Sequence, residues 1–482
     1  MIDLRPVGYV IGLLVTFLGI AMVVPMAVDL WAGNAQAGVF FEAAAITVLV
    51  GLSLTLSCAN STGGRLTLQQ TFLITTGVWL ALPVFGALPF FLGVDGEPYV
   101  NAFFEAMSGL TTTGSTVLTN LVGKPPGLLL WRSMLQWFGG IGIIVVAMVF
   151  LPELRIGGMQ IFRSEGFDTF GKILPRAQAI ATRISVIYIA LTGACAVAYA
   201  GFGMNPFDAI THAMTTIATG GFGNYDLSFG AFGRGVEYTA VVFMILAALP
   251  FVRYVQMLGG SATAVLIDRQ VRGFFWVLAV AVAAITIWLW SETGLPAEAA
   301  FRKALFNITS IVTGTGYVSA DYMVWGAFPV AAIFFLGLIG GCAGSTSCSI
   351  KIFRYQLLFA SIWTQVKAIH SPHGVFTPRY DGRSVSEDVL SSVMAFFVLF
   401  IVSLGVVAVL LGATGLDFIT SVSGAAAALA NIGPGLGPMI GPTGTFAPMP
   451  DTAKWILAAA MFIGRLELMA VYAIVTVRFW QA

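Results

Sequence analysis

The stretch "NITSIVTGTGYVSADY", residues 307–322, interrupts an otherwise oily chain. Thr313-Gly314-Thr315-Gly316-Tyr317 is too flexible and too polar to continue a helix well. Three other stretches share its plan: "SGLTTTGSTVL" (108–118), "TTIATGGFGNYD" (215–226) and "ALANIGPGLGP" (428–438). In each, a short apolar segment runs into small or hydroxyl residues and then a glycine: Gly114, Gly221, Gly316 and Gly433. These glycines lie 107, 95 and 117 residues apart. The repeat is therefore a supersecondary unit with loops of varying length.

The surroundings of these stretches are those of a membrane protein. The 482 residues are 58% hydrophobic and only 9% charged, against about 25% charged in a typical soluble domain. Mean hydropathy is +0.91. A net charge of +1 gives no basic field for nucleic acid. The four cysteines (Cys58, Cys195, Cys342, Cys348) form no CxxC pair and read as buried, reduced thiols. His370 and His373 form an isolated HxxH, too little for a metal site.

Crossing a bilayer takes about 20 apolar residues. Such runs occur near 7–28, 38–59, 71–93, 127–151, 184–203, 236–260, 273–290, 323–340 and its continuation, 389–412 and 453–479, which predicts ten spans. The first is too long for a signal-peptide core and is read as a retained helix. Shorter apolar segments near 101–112, 206–218, 299–312 and 417–430 are too short to cross and read as re-entrant. With both termini in the cytoplasm, only Lys124, Arg132, Arg234, Arg302, Lys303 and Lys454 of the 23 basic residues fall outside. The inner side holds Arg155, Arg163, Lys172, Arg176 and Arg183 among others, as the positive-inside rule expects. All four short segments then enter from the outside.

Non-helical backbone at membrane depth survives only where protein buries it or where it lines a watery cavity. Four such segments entering from one side can meet on one axis. Glycine permits the conformations that turn successive carbonyls inward, and rings of carbonyls can replace a cation's hydration shell. The C-terminal ends of the short helices add partial negative charge. Asp226 and Asp321, five residues after their glycines, are candidate cation attractors at the outer mouth.

These four segments, with "GGCAGSTSCSIKIFR" (340–354) and "MFIGRLELMAVY" (461–472), make the whole chain resemble the TrkH/KtrB/HKT superfamily of potassium transporters, the TrkH branch most closely. The resemblance implies an all-α polytopic membrane protein with four helix–pore-loop–helix repeats around one pseudo-fourfold pore. The corresponding divisions are a two-helix extension (1–66) and repeats at 67–160, 161–262, 263–375 and 376–482. It implies K⁺ in a filter of backbone from Thr111, Thr112, Thr113 and Gly114; Ala218, Thr219, Gly220 and Gly221; Thr313, Gly314, Thr315 and Gly316; and Ala430, Asn431, Ile432 and Gly433. Glycine rather than serine at 114 favours K⁺ over Na⁺. "TGTGY" looks far more like a potassium-channel filter than "ANIGP" does, so an asymmetric and less strict pore is expected.

The resemblance also implies a gate formed by Gly340, Gly341, Gly344, Ser345, Thr346, Ser347 and the lone intramembrane Arg465. The family commonly has a Gly-Gly pair where this chain has Cys348-Ser349, which is expected to stiffen the loop. A fixed positive charge beside the pathway is an electrostatic barrier, so Arg465→Ala is expected to raise cation flux. Implied partners are membrane lipid, a second copy in a homodimer, and a cytosolic, nucleotide-binding, TrkA-like subunit of Rossmann type. The implied location is the bacterial inner membrane. Gly139-Gly140-Ile141-Gly142 lies within an apolar span and follows no strand, so it is not a nucleotide motif. The alternative is a proton- or sodium-coupled secondary transporter of K⁺. That class relies on buried carboxylate relays. Here Glu105, Asp208 and Asp417 read as helix N-terminal residues instead. No nucleophile or convergent catalytic set suggests an enzyme.

Overall fold

Small residues decide how the first two long helices meet. A Cβ on Gly12 would fall 2.9 Å from the Gly51 carbonyl oxygen, and one on Gly51 would fall 3.0 Å from that of Gly12. Helices Arg5–Trp31 and Gln36–Cys58 therefore touch backbone to backbone. The computed structural model describes residues 2–61, 66–93, 96–149, 177–261, 263–466 and 468–481. Arg155, Arg163, Lys172, Arg176 and Glu467 lie outside the described residues.

After this two-helix extension, a helix too short to cross a bilayer follows a long one four times. The short helices are Tyr99–Leu110, Pro206–Ile217, Ala297–Thr313 and Phe418–Ala430, close to the predicted re-entrant segments. Their starts are encoded locally. Asn205 and Asp417 accept hydrogen bonds from the N–H of Asp208 (2.8 Å) and Thr420 (3.0 Å), while Pro98 and Pro296 precede the other two. Asp29 joins the extension to the first quarter by accepting from Gly127 N–H at 2.7 Å.

The long helices match the ten predicted spans less simply. Six described helices are long and apolar enough to cross a membrane, or eight if two bent pairs count as one span each. Of the other two expected spans, Pro126–Val149 is a 24-residue helix ending at the edge of the described residues. Ala327–Gly337 has only 11 residues before the chain leaves helix.

The expected single span 236–260 is Arg234–Ala248 followed, after an 88° bend, by Phe251–Leu258. Pro250 is the cause, since it lacks an N–H and cannot continue the ladder. The freed carbonyls of Leu246, Ala247 and Ala248 accept instead from Tyr254 OH (2.7 Å), Thr346 Oγ1 (3.0 Å) and Cys342 N–H (3.1 Å). The last span is likewise Asp451–Arg465 and Met469–Val475 at 109°. Arg465 therefore ends a helix, where a cation suits the dipole, and does not sit within a continuous one. The polar loop 340–349 does replace helix as expected, and Ile352–His370 resumes after it. A two-stranded hairpin, Arg379–Tyr380 with Arg383–Ser384, is the exception to all-helical structure among the described residues.

Candidate ion pathway

The four segments that follow the short helices share one backbone conformation despite unlike side chains. The second residue of each is left-handed: Thr112 (φ 51°), Thr219 (48°), Gly314 (73°) and Asn431 (51°). So is the fourth: Gly114 (85°), Gly221 (79°), Gly316 (80°) and Gly433 (102°). The third residue's N–H reaches back five residues, from Thr113 to Ser108, Gly220 to Thr215, Thr315 to Ser310 and Ile432 to Ala427, at 2.8–3.0 Å. Alternating handedness turns successive peptide groups the same way, N–H to one side and carbonyl to the other.

The four glycines close these segments into a ring. A Cβ on Gly114 would stand 2.2 Å from the Gly220 carbonyl oxygen, and one on Gly221 would stand 1.9 Å from that of Thr315. One on Gly316 would stand 1.9 Å from that of Ile432, and one on Gly433 would stand 2.8 Å from that of Thr113. The order is first, second, third, fourth and back to first, and a Cβ would crowd every meeting point, least at Gly433. Asn431 Nδ2 donates to Thr113 Oγ1 (2.8 Å), and Ser115 Oγ donates to the Gly433 carbonyl oxygen (2.8 Å), which ties the fourth segment to the first.

The outer wall contains residues that composition and spacing did not single out. Gln136 donates to the Gly220 carbonyl oxygen and accepts from Phe222 N–H. Tyr317 OH meets Thr215 Oγ1 and Thr216 Oγ1 of the second quarter. Arg132 is 1% exposed and pairs with Glu105 at 2.8 Å. It also donates to the carbonyl oxygen of Gly223 (2.9 Å) and to Thr116 Oγ1 (3.2 Å). Glu105 itself lies well inside helix Tyr99–Leu110, so its explanation is this ion pair and not a helix N-terminus. Asp208 and Asp417 do sit at helix starts.

A cavity of about 80 Å³ opens above the ring, lined by Gly114, Gly221, Gly316 and Gly433 with Asp226 at its wall. Asp321 is not among its lining residues and accepts from Met323 N–H at 2.9 Å. Below the ring, the 340–349 loop lines a second cavity, of about 40 Å³, together with Asn431 and Arg465. Gly341 N–H donates to Ser347 Oγ (2.8 Å), and Ser345 Oγ donates to the Cys342 carbonyl oxygen (2.7 Å). Gly344 is left-handed (φ 75°), and its carbonyl oxygen accepts from Phe251 N–H. Gly340 N–H donates to the Ile350 carbonyl oxygen, which folds the loop on itself. Arg465 Nη1 donates to Cys348 Sγ (2.9 Å), and Nη2 donates to the Gly139 carbonyl oxygen (3.5 Å). The expected site residues thus gather into a ring and a loop beneath it.

Helices in four quarters around one ring, within a chain this apolar, define a multi-pass membrane transport protein of the single-chain, fourfold kind. The chain belongs to the TrkH family of cation transport proteins, whose family model matches residues 36–480. It is 42% identical over 478 residues to the Trk system potassium uptake protein TrkI of Halomonas elongata, covering 99% of this chain and 97% of that one. It is 35% identical over 491 residues to the Trk system potassium uptake protein TrkH of Escherichia coli, covering 99% of both. The crystal structure of the potassium transporter TrkH from Vibrio parahaemolyticus superposes with a TM-score of 0.92 at 32% identity, covering 99% of this chain and 100% of that one.

Proposed function

We propose that this chain is the pore subunit of a potassium uptake system. K⁺ passes through the carbonyl ring formed by the four segments ending at Gly114, Gly221, Gly316 and Gly433. The observation that carries this reading is the shared left-handed pattern at the second and fourth residues, closed by the glycine contacts from quarter to quarter. Such a ring, faced by four helix C-termini, favours a bare cation and disfavours an anion. The names of the relatives supply the choice of K⁺. The 340–349 loop and Arg465 form the gate, and both termini lie in the cytoplasm of a bacterial inner membrane. A second copy and a nucleotide-binding cytosolic subunit complete the assembly.

The test is cation flux into liposomes containing the purified chain. Uptake of K⁺ or Rb⁺ down an imposed gradient is expected, with Na⁺ slower and choline excluded. Arg465→Ala is expected to increase uptake, so a shut gate cannot hide the pore. Absence of cation flux in both proteins at normal insertion would refute the reading.

A further inference from the structure

Three consecutive gate-loop residues touch the inner ends of three quarters. Ser347 Oγ donates to the Thr313 carbonyl oxygen at 2.7 Å. Ser349 N–H donates to the Ala430 carbonyl oxygen at 2.9 Å, while its hydroxyl, 3.2 Å from the same oxygen, donates to the Gly337 carbonyl oxygen at 2.8 Å. Between them, Cys348 Sγ lies 3.5 Å from Thr112 Oγ1 and 3.9 Å from the Thr112 carbonyl oxygen. On the other side, Cys348 Cβ lies 2.9 Å from where a Cβ on Gly314 would project. Thr112 belongs to the first quarter and Gly314 to the third. The ring order makes these two diagonal, so a side chain that reaches both stands on the axis. Arg465 holds the same sulfur from a further direction at 2.9 Å.

We propose that Cys348 is the axial plug of the gate, and that Ser347 and Ser349 hold it in place by occupying carbonyl oxygens that a permeating cation would otherwise coordinate. Loop and cation then compete for the same oxygens. A filled innermost position favours release of the loop, and an empty one favours closure. The bonds involved suit such a competition. Each is an ordinary neutral hydrogen bond, modest in net strength. Ser349 also adopts φ 63°, a region costly for any residue with a Cβ. The closed loop is therefore strained as well as weakly held, which differs from the simple stiffening expected when Cys348-Ser349 replaces two glycines.

This inference rests on the pore reading above, and two measurements separate their fates. The first is K⁺ flux in liposomes. Cys348→Gly is expected to raise flux about tenfold or more, the equilibrium shift that loss of one hydrogen bond from a charged group brings. Cys348→Val, which keeps a side chain on the axis, is expected to rise less. Equal flux in Cys348→Gly and the unmutated protein overturns the plug, as does an equal rise in both variants. No flux in any variant, Arg465→Ala included, overturns the pore reading instead. The second uses the unmutated protein. Its modification by a small methanethiosulfonate is mapped by peptide mass spectrometry, in K⁺ and in choline at equal ionic strength. Cys348 is expected to react faster in K⁺, and an equal or slower rate overturns the competition.

Discussion

Gly221 and Gly433 hold the same place in their quarters, yet their neighbours differ. A Cβ on Gly221 would lie 1.9 Å from the Thr315 carbonyl oxygen, while one on Gly433 would lie 2.8 Å from that of Thr113. Both positions also impose about 1–2 kcal/mol of backbone strain on any residue with a Cβ, because φ is positive. The strain is shared, so the contact decides the difference. Gly221→Ala is expected to abolish K⁺ flux in liposomes, and Gly433→Ala to leave it reduced but measurable. Equal loss in both would mean that strain, and not the approach of the next segment, controls the ring. These glycines were legible in the sequence because each ends a repeated pattern. Thr112, Thr219 and Asn431 gave no hint of their left-handed backbone. Side-chain identity at those positions varies while the conformation does not, so "ANIGP" builds the same backbone as "TGTGY". The inequality of the quarters resides in side chains and their props.

At the scale of elements, length alone revealed the short helices, because 12–14 apolar residues cannot cross a bilayer. The bend at Leu249–Pro250 was equally available, since proline within a span is a local signal. The bend after Arg465 carries no such signal and depends on tertiary contacts. The Glu105–Arg132 pair was hidden for another reason. Its members stand 27 residues apart on helices whose packing no pattern specifies. Arg132 links the helix Pro126–Val149 to the first short helix and, through the Gly223 carbonyl oxygen, to the second quarter. Its guanidinium also lies 4.2 Å from the centroid of the Phe222 ring. A buried pair loses roughly 3–5 kcal/mol when one partner is removed, because the other charge is left uncompensated. Arg132→Met is therefore expected to lower thermal unfolding temperature markedly in detergent, and Glu105→Leu with Arg132→Met to recover much of the loss. A double variant no better than the single one would show that the links to Gly223 and Thr116 matter more than the charge pair.

For the whole molecule, the disposition of its acids bears on whether transport is coupled to protons. A coupled transporter carries titratable groups that exchange protons across the bundle. Among the described residues, the acids on and around the short helices are committed to structural partners. Glu105 is held by Arg132, and Glu237 by Arg302 and Lys303. Asp208 accepts from Asn205, Asn224 and Tyr225, and Asp417 caps its helix through Thr420 N–H. Asp29 has one oxygen without a partner, but its contact is with Gly127 at the junction with the N-terminal extension. Protonating Glu105, Glu237, Asp208 or Asp417 would break a brace rather than pass a proton along a path. K⁺ flux in liposomes is thus expected to follow the K⁺ gradient alone and to persist when a protonophore abolishes the pH gradient. A strict need for an inward proton gradient would show that one of these braces opens during transport. Glu105 would then be the first residue to replace, since its partner Arg132 reaches the Thr116 hydroxyl in the first quarter and the Gly223 carbonyl oxygen in the second.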